Sequence, residues 1–145
     1  MALRTATAKW EGNLFKGSGS VSAASGAFKE LGVTWAARTE DQGGKTSPEE
    51  LVAAAHAGCY CMALSNGLDK KGTPPQRLET SVTITFEKVE AGFRATKSDI
   101  TVKGWVKGLD AAGFQEAAAA AKDGCPISNM MKGNVALSVT ATLAT

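Results

Sequence analysis

The sequence predicts an α+β fold in one domain that spans residues 1–145. Three observations lead to this prediction: several segments alternate apolar and polar residues, one long apolar segment has helix start and stop signals, and an alanine-rich segment follows a long hairpin. A chain of 145 residues also has about the length of one domain. The predicted order is strands, central helix, hairpin, helix and strand, which is typical of an α+β domain.

The first part of the chain carries short strand signals. Residues 2–10 alternate small apolar and polar side chains, and the Gly/Ser segment 17–20 marks a turn. Apolar runs near Val21 and over 33–36 predict two further strands. A polar, glycine-bearing loop over 39–46 then separates this part from the central helix.

The central helix has the clearest signals. Ser47 can cap its N-terminus, Pro48 suits the first turn, and Glu50 completes an S-x-x-E capping box. The helix is expected to run to about Lys71 and to stop at Gly72, because two prolines follow. Its middle, LVAAAHAGCYCMAL, is apolar almost all round, which is typical of a helix buried on several sides.

The second half of the chain predicts a hairpin, a helix and a final strand. The alternating segments 77–90 and 93–107 are joined by a Glu-Ala-Gly turn, which favours a β-hairpin. An alanine-rich helix is expected over 110–122, ended by Gly124. Residues 134–143 alternate again and predict a closing strand.

Composition and charge limit the function classes. Sixteen basic and 14 acidic residues are intermixed, with a net charge of +2, so nothing favours nucleic-acid binding. The longest nearly apolar stretch, 51–64, is shorter than the roughly 20 residues of a membrane-spanning helix. The first ten residues contain no apolar segment typical of a secretory signal. Three cysteines without such a signal indicate a reducing cytoplasm.

The hydrophobic core predicted for one chain is thin. Hydrophobic residues make up 43% of the sequence, but 25 of them are alanine. Alanine buries little area, so the larger side chains must supply most of the burial free energy. A second copy of the chain is therefore a possible partner from the composition alone.

The cysteines are the unusual chemistry of this sequence. Cys59 and Cys61 point about 200° apart on a helix, so they cannot form an unstrained disulfide with each other. A zinc site built from these two, Cys125 and His56 is disfavoured for the same reason. His56 lies about 60° around the helix from Cys59; a lone histidine in an apolar helix is more often a hydrogen-bonded core residue than a ligand.

Local electrostatics favour Cys125 as the better thiolate. Cys125 precedes Pro126, which starts a short turn at an expected helix N-terminus, where free amides stabilise an anion. Cys59 lies in mid-helix and needs an external cation to ionise. These arguments nominate Cys59 and Cys125 as a pair and leave the order of their roles open.

Two cysteine motifs carry a resemblance to a known family. SPEELVAAAHAGCYCMALS and the later DGCPISNMMKGNV resemble the OsmC/Ohr family of thiol peroxidases. The opening AKWEGNLFKGSGSVSAASGAF and the WAARTE stretch resemble the OsmC branch, the osmotically inducible protein C, more than the Ohr branch. The resemblance covers nearly the whole chain in the same order.

The resemblance implies a role for each matching residue. Cys59 matches the peroxidatic cysteine and Cys125 its resolving partner, while Arg38 matches the residue that holds the reactive thiolate. Glu49 matches the carboxylate that orients this arginine, and Cys61 stands where the family requires no thiol. Along a straight helix Glu49 lies roughly 15 Å from Cys59, so a bridging arginine or a partner subunit would have to join them.

The resemblance also implies an activity and a fold. The family's activity is reduction of organic hydroperoxides through a Cys59 sulfenic acid and a Cys59–Cys125 disulfide. An external dithiol, which the resemblance suggests is of the lipoyl type, recycles the disulfide without a cofactor or metal. The family's fold has antiparallel sheets wrapped around a long central helix in an intertwined homodimer with its active sites at the interface. The alternatives are a non-enzymatic dimeric stress protein with an apolar ligand pocket, and a zinc protein.

Overall fold

The computed structural model describes all 145 residues, arranged as six strands and four helices. The chain forms two compact units, Met1–Leu51 and Val52–Thr145, and the boundary falls within the long helix. The expectation of one domain over residues 1–145 stays a prediction. The elements, in chain order, are β1 (Ala6–Glu11), β2 (Ser18–Ala23), β3 (Leu31–Val33), α1 (Trp35–Thr39), α2 (Pro48–Lys70), β4 (Arg77–Val89), β5 (Gly92–Trp105), α3 (Ala111–Gly124), α4 (Pro126–Met131) and β6 (Ala136–Leu143).

The unit Met1–Leu51 contains a three-stranded antiparallel sheet in the order β1-β2-β3. The strand predicted over 33–36 is wrong beyond Val33, because a short helix begins at Trp35. The cause is Thr34, whose hydroxyl accepts a hydrogen bond from the Ala37 N–H at 3.0 Å and caps α1. A threonine followed by helix-compatible residues was the signal for this helix.

Helix α2 begins and ends where its caps predict. The Ser47 hydroxyl accepts a hydrogen bond from the Glu50 N–H at 3.1 Å, which satisfies one free amide of the first turn. At the other end Gly72 has a φ of +80°, and its N–H donates to the Asp69 carbonyl at 2.9 Å. This left-handed residue closes the helix as glycine readily does.

The unit Val52–Thr145 contains the second sheet, in the order β4-β5-β6. Strands β4 and β5 form the predicted hairpin, with Val89 paired to Gly92 across the turn and Arg77 to Trp105 at the far end. Strand β6 pairs with β5 in parallel, so the expectation of purely antiparallel sheets is wrong at this one pairing. The reason is the connection: α3 and α4 lie between β5 and β6, and a helical crossover returns the chain in the same direction.

The same connection contains the helix N-terminus expected at Pro126. That expectation is confirmed, and the segment, which was described as a short turn, continues for six residues as helix α4. Proline at its first position is compatible with a helix, because the missing N–H would have no partner there. The predicted helix over 110–122 is confirmed as α3, with the Asp110 carboxylate accepting from the Gly113 N–H at 2.8 Å.

The core of this second unit lies between its sheet and one face of the helices. A single stripe of α2 is buried, with side chains at a spacing of four residues that lie on one helix face. The Tyr60 hydroxyl in this stripe donates to the Ala118 carbonyl of α3 at 2.9 Å. The buried hydrophobic cluster consists of Tyr60, Leu64, Leu68, Ile100, Val102, Val106, Phe114, Ala117, Ala118, Ala121, Cys125 and Ala141.

The rest of the α2 surface is open in the single chain, contrary to the prediction of burial on several sides. Met62 is 70% exposed and Val52 is 42% exposed. Helix α2 has 23 residues, and an 18-residue segment within it has a mean hydropathy of 1.2. By length and composition alone the whole helix could therefore cross a membrane, whereas the apolar stretch 51–64 is too short to do so. The packing of its buried stripe in the cluster above is that of a core helix.

Gly104 offers a test of this core. A Cβ added there would lie 2.4 Å from Cζ of Phe114, a fully buried ring, and 3.2 Å from Cδ2 of Leu78. We expect Gly104→Ala to lower the free energy of unfolding by about 1–3 kcal/mol, because the ring has no free space to enter. Chemical denaturation measures this; Gly124→Ala is the control, since nothing lies within 4 Å of an added Cβ there. Equal stability of the two variants would contradict the prediction.

Candidate active site

Cys59 and Cys125 meet within the unit Val52–Thr145. Cys59 is partly exposed on α2, and Cys125 is fully buried between α3 and α4. The two thiols are close enough for each to shift the pKa of the other, and the backbone N–H of Ile127 favours the ionised form of both. Both cysteines are free thiols. The structure therefore brings together the cysteine pair nominated from the sequence, which lies 66 positions apart in the chain.

The two thiols differ in acidity. Burial favours the neutral thiol of Cys125, but hydrogen bonds from the Ser128 N–H, the Cys59 thiol and the Ser128 hydroxyl outweigh it and lower the pKa of Cys125. Burial also raises the pKa of Cys59, and the adjacent Cys125 raises it further against the opposing N–H of Ile127. Within this unit Cys125 is thus the better thiolate and Cys59 the more accessible sulfur.

Cys61 points elsewhere, as its helical spacing predicts. Its thiol donates a hydrogen bond to Oγ1 of Thr80 on β4 at 3.0 Å. A residue two positions along a helix from Cys59 points about 200° away from it. The structure therefore separates Cys61 from the Cys59–Cys125 pair.

His56 is a hydrogen-bonded core residue, which was the favoured prediction from the sequence. It is fully buried, with Nδ1 at 2.7 Å from the hydroxyl of Ser98 and Nε2 at 2.7 Å from the hydroxyl of Ser128. Burial lowers the pKa of His56, so the ring is neutral near pH 7. Neither serine was singled out from the sequence. Ser128 follows Cys125 by three positions in a turn of helix, whereas Ser98 comes from a distant strand and carries no local signal.

Arg38 and Glu49 meet within the unit Met1–Leu51. The Arg38 Nε donates to both carboxylate oxygens of Glu49, at 3.1 and 3.0 Å, and an Nη donates to Oε1 at 2.7 Å. The guanidinium also lies over the Trp35 ring, 5.9 Å from its centroid. The side chains are 31% and 14% exposed. This forked pair holds the guanidinium in one orientation, and the structure pairs the two residues that the family resemblance singles out.

Glu50 has a different set of partners. Its carboxylate accepts from the Thr46 hydroxyl at 2.9 Å and from the Gln42 side-chain amide at 3.1 Å. These bonds tie the loop before α2 to the first turn of the helix. Glu50 therefore stabilises the start of the helix by bonding to the preceding loop. In an ideal capping box its carboxylate would accept from the Ser47 N–H instead.

Each unit has a groove beside its candidate residues. In Val52–Thr145 a groove of about 560 Å³ runs along α2 and α3, and its walls are largely small residues next to Cys59, Met62 and Pro126. In Met1–Leu51 a groove of about 490 Å³ is lined by apolar side chains, including Trp10 and Trp35, with Arg38 at its edge. No group of three or more His, Cys, Asp or Glu side chains that could hold a metal ion occurs in the structure.

The comparisons with known proteins agree with the sequence motifs. Residues 40–140 match the family model of the OsmC-like protein. The chain is 39% identical to peroxiredoxin OsmC of Escherichia coli over 130 residues, which cover 90% of each protein. It is 33% identical to organic hydroperoxide resistance protein OhrB of Bacillus subtilis over 100 residues, covering 68% of this chain and 71% of OhrB.

Solved structures agree at the level of the fold. The crystal structure of Bacillus subtilis OhrB gives a TM-score of 0.75 at 26% identity and covers 97% of this chain and 100% of that chain. An organic hydroperoxide resistance protein OsmC from Legionella pneumophila gives 0.73 at 25% identity, covering 98% and 99%. The α+β fold with two sheets and a long central helix is confirmed. The chain belongs to the OsmC-like protein family.

Proposed function

We propose that this protein is a cysteine-based peroxidase that reduces organic hydroperoxides to alcohols. The observation that carries the proposal is the neighbouring pair of free thiols, Cys59 and Cys125, in a chain of the OsmC-like family. The names of the relatives, peroxiredoxin and organic hydroperoxide resistance protein, support a thiol-dependent role in hydroperoxide detoxification. The cytoplasm, where thiols stay reduced, is the location that we propose.

Accessibility supports Cys59 as the sulfur that attacks the peroxide. Cys125 has the lower pKa but is fully buried, and a hydroperoxide has to reach the sulfur that it oxidises. The partly exposed Cys59 thiolate would attack the distal oxygen, break the O–O bond and release an alkoxide, which takes up a proton to become the alcohol. Cys59 is left as a sulfenic acid.

To attack as a thiolate, Cys59 needs a nearby positive charge, because its own surroundings raise its pKa. We propose Arg38, held by Glu49, as the cation that favours the Cys59 thiolate and stabilises charge on the departing oxygen. Arg38 would come from the same chain or from a second copy. The apolar groove at whose edge Arg38 lies supports organic hydroperoxides as substrates.

Cys125 would complete the cycle as the resolving residue. Its sulfur displaces hydroxide from the Cys59 sulfenic acid, and the S–S bond forms as the S–O bond breaks. An external dithiol, which we propose to be of the lipoyl type, would reduce the disulfide through a mixed disulfide. The closeness of the two thiols, each of which shifts the pKa of the other, supports a direct S–S bond between them.

Exposed apolar side chains support a homodimer. Trp10, Leu14 and Phe15 of the first unit are 43%, 48% and 74% exposed, and Met62 on α2 is 70% exposed. Large apolar side chains exposed in each unit are candidates for protein–protein contact. A second copy of the chain, intertwined with the first, would supply the missing cover.

The oxidised protein provides the direct test. One equivalent of cumene hydroperoxide should convert the wild type to a Cys59–Cys125 disulfide, seen by mass spectrometry of digested protein. Cys125→Ser should stop at a Cys59 sulfenic acid that dimedone traps, because the resolving thiol is gone, and Cys61→Ser should behave as the wild type. If no disulfide forms in the wild type, a non-enzymatic ligand-binding role replaces the peroxidase.

A further inference from the structure

One buried titratable side chain has no task in the proposed cycle. His56 on α2 is fully buried, with Nδ1 at 2.7 Å from the hydroxyl of Ser98 on β5 and Nε2 at 2.7 Å from the hydroxyl of Ser128 on α4. A serine hydroxyl can donate and accept, so both bonds form with either tautomer of the ring. Burial lowers the pKa of His56 and keeps the ring neutral. The imidazole therefore joins three elements of the unit Val52–Thr145 without any change of charge.

Helix α4 is attached to the rest of the unit at few points. Ser128 is its only buried residue, whereas Met130 is 75% exposed. The Ile127 side chain is partly buried and packs against the hydrophobic cluster. The bond between Ser128 and His56 is the only side-chain hydrogen bond that ties α4 to α2, to α3 or to the sheet. The position of this six-residue helix relative to α2 therefore depends strongly on the His56–Ser128 bond.

The His56–Ser128 bond lies one helical turn from each cysteine of the pair. Cys59 follows His56 by three positions on α2, which is a rise of about 4.5 Å along the helix. Cys125 precedes Ser128 by three positions, and its carbonyl accepts from the Asn129 N–H at 3.0 Å, so the first turn of α4 starts at Cys125. Cys59 packs against the buried cluster that contains Cys125. The two segments that the hydrogen bond joins thus also carry the two sulfurs.

We propose that His56 is a positioning residue that holds Cys125 beside Cys59 through its hydrogen bond to Ser128. The inference rests on the proposed function, because it concerns formation of the Cys59–Cys125 disulfide. In that step the Cys125 thiol gives its proton to solvent, its sulfur forms the S–S bond, and hydroxide leaves the Cys59 sulfenic acid. The proton and the hydroxide together make water, and His56 neither gains nor loses a proton.

A hydrogen bond at this place raises the effective concentration of one thiol at the other. The two sulfurs have to come into covalent contact, so the disulfide is favoured when the folded protein already holds them close. Without the His56–Ser128 bond, α4 is free to shift relative to α2, and part of this preorganisation is lost. The rate of the resolving step and the equilibrium constant for disulfide formation should then both fall. Attack of Cys59 on the peroxide should not slow, because Cys125 takes no part in it.

Ser98 provides the matched control for Ser128. Ser98→Ala and Ser128→Ala each remove one buried hydroxyl that lies 2.7 Å from a nitrogen of the same ring. Each leaves one ring nitrogen without its partner, so the two variants should lose similar stability in chemical denaturation. Only Ser128 lies on the helix that follows Cys125, so only Ser128→Ala should disturb the cysteine pair.

Two measurements on the full-length protein separate the steps. Stopped-flow mixing with cumene hydroperoxide gives the rate of Cys59 oxidation, and dimedone competition gives the rate at which the sulfenic acid disappears. Equilibration in dithiothreitol redox buffers, followed by alkylation and mass spectrometry, gives the equilibrium constant of the disulfide. In Ser128→Ala we expect the second rate and the equilibrium constant each to fall by about tenfold, which makes the reduction potential about 30 mV less negative. Cys59 oxidation should stay within about threefold of the wild type, and in Ser98→Ala all three quantities should do so.

Two substitutions of the histidine test the geometry of the ring. The amide nitrogen of asparagine falls near the place of Nδ1, and that of glutamine falls near the place of Nε2. His56→Gln should therefore keep the contact with Ser128 and most of the resolving rate, whereas His56→Asn should match Ser128→Ala. The serine variants carry the test if either histidine variant fails to fold, because replacing a hydroxyl by hydrogen removes little volume.

The expected result is a loss of disulfide stability in Ser128→Ala and His56→Asn that Ser98→Ala and His56→Gln do not share. Equal effects of Ser98→Ala and Ser128→Ala on the disulfide would show general destabilisation and overturn the inference. An unchanged resolving rate and equilibrium constant in Ser128→Ala would overturn it as well. A wild type that forms no disulfide with the hydroperoxide would instead overturn the proposed function, so the two failures are distinguishable.

Discussion

Replacement of Cys59 by serine is expected to lower the rate of hydroperoxide reduction by at least about 10³-fold, the scale seen when a nucleophile is removed. The hydroxyl of serine stays protonated at neutral pH and cannot accept the peroxide oxygen as a thiolate does. Serine has nearly the same shape as cysteine, and Cys59 is only partly buried, so the fold should be retained. The loss would therefore reflect chemistry and not unfolding.

The measurement is steady-state turnover of cumene or t-butyl hydroperoxide with an excess of a dithiol. The matched control is Cys61→Ser, on the same helix, whose thiol donates to Thr80 and is separated from the pair. We expect this control to keep activity within about threefold of the wild type. Retention of wild-type activity in Cys59→Ser would show that another group reacts with the peroxide and would refute the assignment.

Removal of the Arg38 charge is expected to have the second largest effect. We expect Arg38→Met to lower kcat/KM for organic hydroperoxides by about 10²–10³-fold, the usual cost of losing a group that stabilises charge in the transition state. The pKa of Cys59 should also rise, since a nearby cation favours the thiolate and its loss disfavours it. At neutral pH a smaller fraction of Cys59 would then be reactive.

Arg38→Lys separates charge from geometry. Lysine keeps the positive charge but lacks the planar fork that bonds both oxygens of Glu49. We expect it to recover only part of the lost activity. Glu49→Gln should produce a smaller loss than Arg38→Met, because the guanidinium remains but is less firmly oriented.

The chain offers a close control for these variants in Arg77. This arginine also pairs with a glutamate, Glu79, and lies over a tryptophan ring, 5.0 Å from the centroid of Trp105. Arg77→Met removes the same charge from the same kind of cluster in the other unit. Thiolate absorbance and single-turnover rates should change in Arg38→Met and stay unchanged in Arg77→Met; equal effects in both would contradict a specific role for Arg38.

Local signals determined much of the fold in advance. Ser47 and Gly72 bound α2 because the hydroxyl and the left-handed glycine act on the backbone within a few residues. The hairpin turn at Gly92 and the Asp110 cap of α3 are of the same kind. The short helix α1 was missed because the Thr34 cap competes with an apolar run that equally suits a strand.

The candidate site was predictable only in part. The sequence nominated the cysteine pair from reactivity and from two motifs, and it added Arg38 and Glu49 only through family resemblance. The forked contact of those two residues depends on how the loop before α2 folds back, which no spacing rule describes. The acidity of Cys125 was foreseen from its place before Pro126, and the structure adds the Ser128 hydroxyl as a further donor.

By itself, then, the sequence determined the helices, the hairpin and the residues that can do thiol chemistry, because caps, turns and side-chain reactivity are local properties. Only the tertiary structure decided that β6 runs parallel to β5 and that Ser98 on β5 and Ser128 on α4 hold His56 between them. Those contacts join residues 42 and 72 positions apart. These contacts form only when the whole unit packs, so they cannot be predicted from any short stretch of the sequence.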